Sequence, residues 1–216
     1  MPRDRPIERL ARCVIGLLIC GTGLTSIIHG DLGLAPWDVF HQGVSDRTGV
    51  PIGTVIVIVG LAVLLLWIPL RVRPGIGTFL NAVLIGVTVD VLDPRLPVPN
   101  QVPLQAAFMI GGVVLFGVGS GLYIGAGLGA GPRDGLMTGI ARRGASIRLA
   151  RTLIEIVVLV AGVLLGGSIG VGTAVFALGI GPLVHAFLPM FEMQPSDDVD
   201  APSHEPVTPT GVPERS

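Results

Sequence analysis

Six long apolar runs dominate this chain: Leu10 to Ile28, Ile52 to Leu70, Ile76 to Leu92, Leu104 to Ile124, Ile147 to Leu165 and Ile169 to Met190. At about 1.5 Å per residue, runs of this length match a hydrocarbon layer about 30 Å thick. They predict an all-α membrane protein of about six transmembrane helices. Composition agrees, because only 13% of residues are charged, roughly half the share in ordinary soluble domains. A formal net charge of −1 offers no basic surface for a polyanion, which excludes nucleic acid as a partner.

The segments between the runs are short and rich in Gly and Pro. Residues 93 to 103 contain Pro94, Pro97, Pro99 and Pro103, which cannot continue a helix, and so read as a linker between two halves. The first run is too long for a signal-peptide core and ends without a small-residue cleavage pattern, so it reads as a retained helix. Beyond Met190 the chain turns to Pro, Asp, Glu, Ser and Thr, too polar to offset the entropy of ordering. The expected organisation is one polytopic membrane domain over 1–190 and a disordered cytoplasmic tail over 191–216.

The two halves resemble each other. Gly33, Pro36 and Asp38 recur 96 residues later as Gly129, Pro132 and Asp134, and Gly75-Ile76-Gly77-Thr78 recurs 95 residues later as Gly170-Val171-Gly172-Thr173. Repeat A covers about 10–94 and repeat B about 104–189. Each holds three crossings, so the second copy lies upside down relative to the first. Arginine placement agrees with that inversion. With the N-terminus cytoplasmic, the inner segments carry Arg3, Arg5, Arg9, Arg12, Arg71, Arg73, Arg133, Arg142, Arg143, Arg148 and Arg151, and the outer loops only Arg47 and Arg95. This bias predicts a bacterial plasma-membrane protein with both termini in the cytoplasm.

Each repeat has an additional short segment, Pro36 to Arg47 and Pro132 to Arg143. Each opens with Pro at a helix start and an acidic residue two positions on, where it meets the positive end of the helix dipole. At about 18 Å such helices are too short to span. Two readings stand side by side: re-entrant half-helices whose N-termini define a substrate site, or interfacial helices anchored by Trp37. The candidate substrate or ion site comprises Pro36, Trp37, Asp38, His41, Gln42, Pro132, Arg133, Asp134, Arg151 and Glu155. Glu155, inside the fifth run, reads either as a proton or cation relay or as an ion pair with Arg151 one turn away. Asp90 and His185 occupy matching places but fall near opposite surfaces, so both read as helix-end residues. His29 and His41 lie near Asp31 and Asp38 without the spacing of a metal site.

Gly117, Gly121, Gly125 and Gly129 fall four apart, as do Gly162, Gly166 and Gly170, a spacing that lets helices pack closely within a monomer or between copies. Cys13 and Cys20 share one helix too far apart to be bridged and read as packing residues. No catalytic triad, paired zinc ligands or dinucleotide loop assembles, so neither an enzyme nor a cofactor is expected.

The stretches GLAPWDVFHQGVSDRTGVPIGT from Gly33 to Thr54, RPGIGTFLNAVLIG from Arg73 to Gly86, and RTLIEIVVLVAGVLLGGSIGVGT from Arg151 to Thr173 resemble the bacterial YczE/YyaS/YitT-like membrane proteins. The core Pro36-Trp37-Asp38 with His41, Gln42 and Gly43 is the most specific part. The resemblance implies a multi-pass membrane protein and, from a role suggested for relatives, support of secondary-metabolite production or export. The resulting expectation is a small-solute transporter or permease-like protein with its site at the repeat interface; the alternative is a non-transporting accessory protein docking on a biosynthetic or export system. The expected partners are the lipid bilayer, a small solute and a second copy through the Gly-rich faces.

Overall fold

The computed structural model describes residues 5–144 and 146–193. Residues 194–216 of the expected tail lie outside them, whereas Phe191 ends the last helix and Met193 is buried, its N–H donating to the Gly125 carbonyl at 3.1 Å. The helical unit therefore runs three residues past the expected boundary at 190.

Eight helices follow one another, with no strand among the described residues: α1 Pro6–Gly30, α2 Pro36–Thr48, α3 Ile52–Leu70, α4 Ile76–Leu92, α5 Val102–Gly125, α6 Pro132–Ala141, α7 Ile147–Leu165 and α8 Val171–Phe191. Five of them, α1, α3, α4, α5 and α8, are long and apolar enough to cross a membrane. The fifth apolar run, α7, is equally long but carries Arg148, Arg151 and Glu155 in its first half. Its length suits a crossing, while its first turns are built for a polar setting. The proline-rich linker forms a short 3-10 turn, Asp93–Arg95, before the chain enters α5.

Local chemistry sets the helix ends. Pro occupies the first turn of α1, α2, α5 and α6, where its missing N–H would have had no partner in any case. Gly49 and Gly166 close α2 and α7 in the left-handed conformation, which a residue without Cβ adopts freely. The Ser146 hydroxyl accepts from the Leu149 N–H at 3.1 Å and caps α7.

Helices α1 and α5 form the central seam. Gly16 faces Gly119 and Gly23 faces Gly112, so the pair is antiparallel; a methyl group at Gly16 or Gly23 would come within 2.7 Å of the facing carbonyl oxygen. Cys20 lies between them, buried and unbridged, with its thiol 3.6 Å from the Phe116 carbonyl. Small residues matter here because no hydrophobic effect drives helices together in lipid, and van der Waals approach has to do so instead.

The contacts flanking this seam come in matched pairs. The α4 start rests on the turn before α6, with the Gly77 N–H donating to the Leu128 carbonyl at 3.0 Å; the α8 start rests on the turn before α2, with the Gly172 N–H donating to the Leu32 carbonyl at 2.6 Å. Thr78 and Thr173 accept from Gly75 and Gly170 in the same way. Helix α2 packs on α7, and α6 on α3. Arg47 donates to the Leu164 and Leu165 carbonyls that end α7, and Arg143 donates to the Pro69 carbonyl that ends α3.

One pair lacks its match. Helices α3 and α4 pack along each other, but α7 and α8 form no comparable seam. The residues explain it. Gly53 sits against Gly86 and Asp90, and Gly60 against Ala82; the Asp90 carboxylate accepts from the Gly53 N–H at 2.7 Å and the Thr54 hydroxyl at 2.6 Å. At the positions 95 residues on from Gly53, Thr54, Gly60 and Asp90, the offset that carries α3 onto α7, stand Arg148, Leu149, Glu155 and His185. The bulk is added and the hydrogen-bond lock is gone.

The glycine stripes work inside the chain. Gly117, Gly121 and Gly125 receive Leu183, Phe187 and Phe191 of α8, and Gly162 receives Val39 and Phe40 of α2. Gly129 and Gly166 are turn residues with positive φ.

Candidate functional site

Each short helix is launched by a turn that only glycine fits. Gly33 and Gly129 have φ of 103° and 129°, in the region where a Cβ is strained. The chain then straightens at Ala35 and Gly131 and enters α2 and α6 at Pro36 and Pro132. Both starts line one cavity of about 470 Å³. The two helix starts thus approach each other across the molecule.

Two side chains tie the starts together. Arg133 of α6 donates to the Asp38 carboxylate of α2 at 3.3 Å, and its guanidinium lies over the Trp37 ring, 5.1 Å from the centroid. Asp38 is only 2% exposed. Its same oxygen meets His41 Nδ1 one turn along at 3.2 Å, and it stands in the first turn of α2, where the helix dipole favours negative charge. A buried carboxylate thus has a guanidinium, an imidazole and a helix N-terminus as company, which offsets much of its desolvation. The Trp67 indole N–H donates to the Pro132 carbonyl at 3.0 Å and pins the α6 start to α3. The Trp37 indole N–H is buried with no hydrogen-bond partner among the described residues.

Nine of the ten expected site residues line the cavity: Pro36, Trp37, Asp38, His41, Pro132, Arg133, Asp134, Arg151 and Glu155. Asp134 faces the Tyr123 hydroxyl. Arg151 and Glu155 form the expected i, i+4 pair at 2.9 Å on the cavity margin, with side chains 59% and 35% exposed. Gln42 is the exception. Its amide oxygen accepts from the Ser168 N–H and hydroxyl, both at 2.8 Å, so it braces the α7–α8 connection instead.

Sequence reasoning missed Asn81, Phe116, Tyr123 and Phe176, which also face the cavity. Asn81 had a readable signal, as a polar side chain in the middle of an apolar run. His185 was expected only as a helix end, yet it lines the cavity, because the absent α7–α8 seam leaves its side of α8 uncovered. Asp90, its positional counterpart, stays in the α3–α4 seam. His29 reaches Asp93 and the Pro97 carbonyl, each at 3.2 Å, while His41 meets Asp38, so the two histidines serve different places. No group of three His, Cys, Asp or Glu comes together among the described residues.

Several apolar helices long enough to cross a membrane, packed around a cavity that holds charged side chains, define a helical multi-pass membrane protein. The chain belongs to a family of unknown function (DUF6198), whose model matches residues 7–189. An uncharacterized protein of Haemophilus influenzae is 40% identical over 176 residues, 81% of each chain. The uncharacterized membrane protein YczE of Bacillus subtilis is 38% identical over 177 residues, 81% of this chain and 82% of its own. The uncharacterized protein YyaS of the same organism is 29% identical over 186 residues, 82% and 91% of the two chains. These findings agree with the resemblance read from Gly33 to Thr54. No solved structure matches.

Proposed function

We propose that this protein is a small-solute transporter built from two inverted repeats, α1–α4 and α5–α8, with its solute site where the α2 and α6 starts meet. The matched contacts support the inversion: Gly16 with Gly119 and Gly23 with Gly112 exchange positions 96 apart, as a two-fold axis in the membrane plane through the α1–α5 seam requires. The arginine bias then puts both termini and the Arg142–Arg143 loop in the cytoplasm and makes α7 a sixth crossing. The Asp38–Arg133 bridge over the cavity carries the reading. Two helix N-termini and a guanidinium supply donors for a polar group on the solute, Asp134 and Glu155 supply acceptors, and the cavity falls within the volume range of small-molecule sites. The donors and acceptors are mixed in sign, which suits a solute carrying both kinds of group.

The test is flux in reconstituted vesicles across a broad panel of solutes. Asp38→Asn, Asp134→Asn and Arg133→Gln each abolish flux while keeping the purified protein monodisperse. A wild-type protein that moves nothing and instead co-purifies with a synthase overturns the proposal in favour of an accessory role.

A further inference from the structure

The missing α7–α8 seam sits beside the cavity. Leu149, Leu153 and Ile156 of α7 are each more than half exposed, and Ala177, Gly181 and His185 of α8 are exposed along the stripe equivalent to the one that α3 covers on α4. Nothing lies within 4 Å of a methyl group placed at Gly181. Gly181 and His185 also line the cavity, as do Arg151 and Glu155 across from them. The cleft between α7 and α8 is therefore continuous with the cavity. Substitution has built it: two glycines and an aspartate lock one seam, and their bulky or unlocked counterparts leave the other apart.

We infer that this cleft is a lateral portal through which an amphiphile, a hydrocarbon chain with an anionic head, enters the cavity from the bilayer half that borders the arginine-rich end of α7. The inference deepens the transport reading by naming the solute class. Three observations set that class. The α8 side of the cleft presents the small residues Ala177 and Gly181, and α7 exposes Leu149, Leu153 and Ile156 to its surroundings, so a hydrocarbon chain arriving from lipid meets small and apolar groups. The rim holds exposed Arg148, one turn nearer the helix start than the Arg151–Glu155 ion pair, a cation matched to an anionic head at the membrane surface. The interior beyond is walled by Phe116 and Phe176, edge to face with centroids 5.6 Å apart, and Trp37 lines the same cavity.

The two tryptophans of the chain make the inference measurable. Trp37 lines the cavity, while Trp67 is hydrogen-bonded to Pro132 and outside the cavity lining. The protein is reconstituted in vesicles of dibrominated phosphatidylglycerol, or in plain vesicles with added dibrominated stearic acid. Bromines on the chain quench an indole they approach. In Trp67→Phe, loss of most Trp37 emission in either vesicle is expected, and in Trp37→Phe the Trp67 emission persists. Quenching by the phospholipid assigns the portal to bilayer lipid; quenching by the fatty acid alone assigns it to a free amphiphile. The double substitution Ala177→Phe with Gly181→Leu fills the cleft and restores emission. In the otherwise unsubstituted chain the same plug lowers total quenching, so the result does not depend on either tryptophan variant folding. No quenching, equal quenching of both indoles, or quenching that survives the plug overturns the portal. Absent flux with plug-sensitive quenching overturns transport and leaves the portal standing.

Discussion

Asp38 is the residue on which the site turns. Removing its carboxylate leaves Arg133 one-third exposed and able to recover some solvation, so the penalty is smaller than for a fully buried pair. Asp38→Ala is expected to cost about 1–3 kcal/mol, in the range for losing a charged hydrogen-bond partner, read as earlier thermal unfolding in detergent. Asp38→Ala with Arg133→Ala is expected to cost less than the sum of the two single changes, because the pair is coupled. Gln42 gives the contrasting case: Gln42→Ala lowers stability by about 1–2 kcal/mol through its two contacts with Ser168 and leaves the solute affinity of the cavity unchanged. The pair Asp38 and Gln42 also shows where sequence stops being informative. They lie four residues apart on one short helix, and both belong to the motif that carries the family resemblance. Nothing in that motif says that one faces a cavity and the other Ser168, because the partners that decide it, Arg133 and Ser168, are 95 and 126 residues away.

At the scale of the element, local signals served well. Apolar runs marked the long helices to within a few residues, and Pro with an acidic residue two positions on marked α2 and α6. What those signals omit is rotation about the helix axis, which packing sets. Asn81, Tyr123 and His185 reach the cavity because α4, α5 and α8 are turned by glycine contacts with remote neighbours, such as Gly121 with Phe187. The central seam is the most exacting of these. Gly16→Val or Gly23→Val is expected to destabilise by at least about 1–3 kcal/mol, the cost of overpacking, since the facing groups are backbone and cannot swing aside. The comparable change at Gly181 is expected to be silent in the same thermal assay, because its surroundings are empty. The ends of α3 and α7 offer a subtler check. Arg47→Ala and Arg143→Ala each remove a guanidinium from orphan carbonyls and are expected to fray the helix end, seen as faster amide exchange in its last turn.

For the molecule as a whole, arginine placement makes a prediction independent of any solute. Reporter tags at the two chain ends are expected on the same, cytoplasmic side, together with a cysteine placed at Gly144 and probed with an impermeant reagent. A reporter showing the ends on opposite faces would overturn the proposed inverted arrangement. The repeat was readable because Gly, Pro and Asp recur at a constant offset. The departure from it was readable only as substitutions, Gly53 against Arg148 and Asp90 against His185, whose meaning depends on knowing that α3 and α4 touch.

The exchange of short helices between units has one more implication. Because α2 beds on α7 and α6 on α3, neither unit can complete its own interior, and a lone copy would leave a turn and a helix start bare in oil. Severed between α4 and α5, the two halves are therefore expected to fold only together, and neither to survive extraction alone.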